Sequence, residues 1–162
     1  RVFDGISAGL KIKKYNSYEG ECAACLENSA EHYYKKNSEI LLKKEPLVFV
    51  DSDKYIGNTK FIFEELLAES MEEGCIKEKI ALKFHYMLSE MILQFAVLGK
   101  NRFNTNQIVL SGGTFQNGIL LNKCIENLEA NGFNVYINEK VPPNDGGIAL
   151  GQVFICENIE KK

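Results

Sequence analysis

No run of apolar residues approaches the roughly 18 that a membrane-spanning helix needs, and no signal-peptide pattern opens the sequence. No block of basic residues stands out. The net charge is −3 with both signs interspersed, which argues against an electrostatic grip on nucleic acid but not against a small-molecule site. No internal repeat or low-complexity segment is visible. Histidine is scarce: His32 and His85 are the only two and lie far apart in sequence. The cysteines number five, an odd count, and sit mostly within apolar patterns. That usage fits a reducing compartment, so a cytoplasmic location is expected, with neither membrane nor nucleic acid as partner.

What is present suits one domain of 162 residues, with 45% apolar content to build a core. The first residue is Arg1 rather than Met, and "RVFDGISAGL" starts without a lead-in. The chain is therefore expected to be a piece of a longer protein. Residues 1–100 read as mostly helical with a small extended segment, and 101–162 as a βαβα part. Phe3, Ile6 and Leu10 have helical spacing, and a second helix is expected over 21–36. The stretch 39–58 reads as extended segments and turns, with a strand at Val48 to Val50. Thr59 is placed to N-cap a helix through Ser70 that buries Phe63, Leu66 and Leu67. The longest helix is expected from Ile76 to Leu98, with Gly99 stopping it.

The last third carries the clearest pattern. Gln107 to Leu110 reads as a strand buried on both faces of a parallel sheet, Asn117 to Ala130 as a helix, and Asn131-Gly132 as its C-terminal cap. Phe133 to Ile137 is a second strand, and Gly146 to Ile159 a final helix. That order predicts a parallel strand–helix–strand unit and an α/β fold.

Ligands of open α/β sheets bind beyond the carboxyl ends of the strands. The first strand ends on Ser111-Gly112-Gly113, and the segment after the second carries Asp145 before Gly146-Gly147. Glycine lets a ligand lie against backbone N–H groups, and the N-terminus of the following helix suits a phosphate or a sugar oxygen. Asn117 can both donate and accept. A plain turn explains each glycine pair equally well, and Asp145 could simply cap its helix. Two such ends side by side would nevertheless face one cleft.

Other residues invite bland readings. Cys22 and Cys25 form C-x-x-C, but with no second such pair they read as small buried residues on a helix. Asp4 reads as a charge at the start of a short helix, and His85 as a packing residue of the long helix.

"LSGGTFQNGILL" and "VPPNDGGIALGQ" resemble the C-terminal part of the hydrogenase-maturation carbamoyltransferases, the HypF family. "RVFDGISAGL", "SYEGECAACLE" and "IALKFHYML" resemble further family segments in the same order. The resemblance implies the second half of an actin-like or sugar-kinase-type ATPase fold, helix-rich with a short, partly parallel sheet. It implies an enzyme that uses carbamoyl phosphate and ATP, through carbamoyl-adenylate, to carbamoylate the C-terminal cysteine of a partner maturation protein of HypE type. Carried over by motif, Asp4 and Gly20 should hold the ribose. Gly112, Gly113 and Asn117 should line the nucleotide, and Asp145 should join a divalent metal site. The family's histidine pair lies upstream of the matching stretch. Thr114, Gly118 and Glu21 depart from the family pattern, which has valine, a basic residue and glutamine there. Two alternatives remain open: an enzyme like the tRNA threonylcarbamoyladenosine synthases, and a nucleotide-binding or docking module inactive alone.

Overall fold

A computed structural model describes residues 1–37, 40, 42 and 44–159, the last by its backbone alone. Positions 39, 41 and 43 of the expected extended stretch, and 160–162, lie outside the described residues. The elements are α1 (Val2–Gly9), α2 (Glu21–Tyr34), β1 (Val48–Asp51), β2 (Lys54–Gly57), α3 (Thr59–Ser70), α4 (Lys77–Phe103), β3 (Gln107–Leu110), α5 (Gly118–Ala130), β4 (Asn134–Ile137) and α6 (Ile148–Ile159). Short 3-10 turns at Gly113–Gln116 and Asp145–Gly147 precede α5 and α6.

The core forms around α4. Ile80, Leu82, Phe84, Met87 and Leu88 are buried there, against Leu26 of α2, Ile62 and Leu66 of α3, and Leu120, Cys124 and Leu128 of α5. Burying a side chain of Phe84's size stabilises by about 1.5–3 kcal/mol. A helix buried on so many sides loses the single clean stripe expected of a surface helix. α1 lies close against α3: a Cβ on Gly5 would come within 2.7 Å of the Phe63 ring, and one on Gly9 within 2.5 Å of Leu67. Lys83 ties α3 to α4, its Nζ donating to Glu65 Oε1 at 2.6 Å and to Glu69 Oε2 at 2.7 Å.

Four local expectations are corrected. Asn58, not Thr59, caps α3, its side chain accepting from Phe61 N–H at 3.1 Å. Ile62 takes the fully buried place expected of Phe63, which is only partly buried with Leu67. Gly99 does not stop α4, which runs on to Phe103 and ends on Asn104 in the left-handed region, φ +50°. Asparagine tolerates that conformation, and no Cβ clash forces a glycine at 99. Val109 is 71% exposed, so β3 is not covered on both faces.

β3 and β4 pair in parallel, with Leu110 opposite Ile137. The loops that follow therefore leave the same edge of the sheet. β1 and β2 form a separate antiparallel hairpin. Gln94 of α4 anchors its entry, accepting from Leu47 N–H at 2.8 Å and donating to the Glu45 carbonyl at 2.9 Å.

Candidate functional site

An open cleft of about 980 Å³ lies where the start of α1, the loop into α2 and the turn before α5 meet. Asp4, Gly20, Gly113 and Asn117, expected from three separate stretches of sequence, all line it, whereas Gly112, expected beside them, does not. The volume is that of a small-molecule site.

Each wall has a local cause. Gly20 stands at the N-terminus of α2 with φ +81°, a conformation that favours glycine. The loop before it is held by Glu21, whose carboxylate accepts from Ser17 N–H at 2.6 Å and Ser17 Oγ at 2.7 Å and pairs with Lys13 at 2.9 Å. The Ser17 hydrogen bonds and the Lys13 ammonium hold the Glu21 carboxyl down at about 2. Its charge therefore serves the loop. Asn16 Oδ1 accepts from Cys22 N–H at 2.7 Å and completes the start of α2.

The two glycines after β3 differ in kind. Gly112 has φ +100°, so the backbone itself calls for glycine. Gly113 has no such φ, and a Cβ there would meet nothing within 4 Å. Nothing inside the chain requires glycine at 113, and the position opens on the cleft.

Asn117 is the N-cap of α5, its Oδ1 accepting from Leu120 N–H at 2.9 Å. Its Nδ2 lies 3.0 Å from His85 Nε2, and His85 Nδ1 lies 2.7 Å from the Ala81 carbonyl. One tautomer satisfies both contacts: Nδ1–H donates to Ala81 and Nε2 accepts from Asn117. Burial pushes His85 down to about 4, so the ring is neutral near pH 7. Phe3, another lining residue, packs edge-on against Phe84 and His85, with ring centroids 5.0 and 5.8 Å away. Asn117 thus lines the cleft with most of its polar capacity engaged below the surface.

The open helix end expected at α5 is filled. Glu27 of α2 accepts from Gly118 N–H at 2.6 Å. Sequence reasoning missed this residue. Its signal was spacing: Gly20, Ala23, Ala24 and Glu27 share one face of a helix, small residues followed by a lone carboxylate.

Asp145 is exposed and does not line the cleft. It does not cap its turn either, because Asn144 Oδ1 accepts from Gly146 N–H at 3.0 Å. Among the described residues no three His, Cys, Asp or Glu side chains come together to hold a metal ion. A single exposed carboxylate does not make a metal centre, so these residues do not by themselves fit one. Cys22 is buried and Cys25 partly so, both as free thiols. No described helix is long and apolar enough to cross a membrane.

A family profile described as "Carbamoyltransferase, Kae1-like Domain, second subdomain" matches residues 1–152. The chain is 31% identical over 98% of its length to the "probable carbamoyltransferase HypF" of Methanocaldococcus jannaschii, of which it covers 20%. It is 32% identical over 95% of its length to carbamoyltransferase HypF of a Synechocystis species, covering 18% of that protein. Among solved structures it resembles full-length HypF in its phosphate- and nucleotide-bound form, with TM-score 0.78, 32% identity and coverage of 99% of this chain and 20% of that one. It also resembles T. kodakarensis HypF, with TM-score 0.74, 28% identity and coverage of 95% and 19%. The chain thus spans about a fifth of the length of these two curated relatives.

Proposed function

The chain belongs to the HypF carbamoyltransferase family, as the second subdomain of its Kae1-like domain, and from that premise we propose that its cleft is one wall of an adenine-nucleotide site. In this reading water cleaves carbamoyl phosphate to carbamate and phosphate, carbamate displaces pyrophosphate from the α-phosphorus of ATP, and the resulting carbamoyl-adenylate is held there while its carbamoyl group passes to the C-terminal cysteine of a HypE-type partner. The sulfur bonds to the carbamoyl carbon, the carbon–oxygen bond to AMP breaks, and the thiol proton leaves to solvent. The remaining walls come from outside this chain.

The observation that carries the reading is the convergence of Asp4, Gly20, Gly113 and Asn117 on one cleft. Asp4 presents a carboxylate that suits the hydroxyls of a ribose. Gly113 lets a ligand approach the backbone. The Asn117–His85 pair keeps the floor neutral, because a protonated His85 could no longer accept from Asn117. The described residues are assigned no step through a metal, because Asp145 stands apart from the cleft. No group of this chain is assigned as catalytic, and the chain alone is expected to transfer no carbamoyl group. An electrostatic site with a wall open to water loses most of its preorganised advantage.

Titration of the 15N-labelled chain with AMP tests the reading. The amides of Asp4, Gly20, Gly113 and Asn117 should shift together and saturably. Gly113→Val should weaken that response roughly tenfold, equivalent to about 1.4 kcal/mol, with little change in melting temperature because a Cβ at this position meets no neighbour within 4 Å. Absent or scattered shifts at millimolar AMP would return these glycines to simple turns.

A further inference from the structure

The start of α5 has the chemistry of an anion site, yet it already holds an anion. Glu27 Oε1 accepts from the N–H of Gly118, the first residue of the helix, across 91 positions of sequence. Asn117 Oδ1 takes the N–H of Leu120. Two of the helix's free N–H groups are thereby bonded, one of them to a full negative charge. The helix dipole stabilises a carboxylate there, and a second anion beside it meets like-charge repulsion.

Glu27 also belongs to the cleft. It is half-buried and lines the wall between Ala24 and Asn117. Among the described residues, nothing donates to its second oxygen, Oε2. Asp4 and Glu19 line the same cleft, and Arg1 is the one cationic side chain among the lining residues. A carboxylate accepts and cannot donate. A ligand group placed against Oε2 would therefore be a donor, and in a nucleoside the sugar hydroxyls are donors of suitable polarity.

We propose that Glu27 is the specificity-determining residue of the cleft: it bars phosphoryl groups from the N-terminus of α5 and takes a sugar hydroxyl of the nucleoside on Oε2. A bound nucleotide then lies with its sugar between α2 and α5 and its phosphates turned away from that helix. The proposal rests on the nucleotide reading given above, and the two fail differently.

The test uses the 15N-labelled 162-residue chain, as wild type, Glu27→Gln and Glu27→Ala, titrated separately with inorganic phosphate, adenosine and 2′,3′-dideoxyadenosine. Glutamine keeps an acceptor for Gly118 and removes the charge, so it serves if alanine disturbs the fold. In wild type the Gly118 amide should ignore phosphate. In Glu27→Ala it should move saturably with phosphate, and Glu27→Gln should respond in the same direction but less. Adenosine should bind roughly tenfold more weakly to Glu27→Ala, as expected for loss of a hydrogen bond to a charged group. The dideoxy compound should bind all three proteins alike. A wild-type Gly118 that follows phosphate, or one that stays silent in both variants, overturns the exclusion. Adenosine affinity unchanged in both variants overturns the hydroxyl contact. If adenosine moves none of Gly20, Gly113 and Asn117 in wild type, the nucleotide reading falls, and the phosphate titrations still decide what occupies the helix end.

Discussion

α4 and α6 are both built largely from apolar residues, and the fold treats them differently. In α4, ten residues are buried, from Ile80 to Ala96. In α6, Ile148, Leu150, Val153, Phe154 and Ile155 are each more than half exposed. The composition of a helix states what it could bury. Whether it does so depends on the surfaces that surround it. α4 is met by α2, α3 and α5 within the chain, whereas α6 meets chiefly the turn that leads into it. The site lies with the first group: His85 of α4 supports Asn117 and Phe3 from beneath the cleft, and its walls are α1, the loop into α2, α2 itself and the turn before α5.

The contrast can be broken by three measurements on the chain. Phe84→Ala removes a fully buried ring from the centre of α4 and should cost about 3–5 kcal/mol in urea unfolding. A loss below about 1 kcal/mol would show that α4 is not the centre of the core. His85 gives the next largest effect. Its folded-state pKa of about 4 lies below the usual 6.5, so between these values the unfolded chain binds a proton that the folded chain does not. The contribution is complete above pH 6.5, declines as pH falls to 4, and totals on the order of 3 kcal/mol. Stability compared with His85→Gln across that range should show the steeper slope in wild type. Equal slopes would mean that the ring titrates as though in water. Phe154→Ala should do least, within about 0.5 kcal/mol. A cost approaching that of Phe84→Ala would erase the distinction between the two helices.

Much of this was legible in the sequence because local signals agreed. Periodicity placed every helix, and the glycine pairs marked where β3 and the segment after β4 end. Asp4, Gly20, Gly113 and Asn117 do meet in one cleft. What stayed hidden depends on contacts between distant segments. The bond from Glu27 to Gly118 is invisible to any local pattern, as is the bond from Asn117 to His85. Helix ends also proved hard to read, because Asn58 and Thr59, or Gly99 and Asn104, are all chemically able to mark them. Exposure of Val109 went unforeseen for another reason. An apolar strand reads as buried, yet the described sheet has only two strands to surround it.

That two-stranded sheet bears on how the chain behaves in a tube. Each of β3 and β4 has one edge with no neighbouring strand among the described residues, so both present backbone N–H and C=O groups spaced to receive another strand. Val109 and Tyr136, opposite each other in the register, add apolar surface to one face of the sheet, 71% and 50% exposed, and a net charge of −3 supplies little mutual repulsion. Self-association is therefore expected to rise steeply with concentration and with added salt. The two open edges left beside that pairing are expected to limit how long, and how concentrated, the isolated chain can be kept.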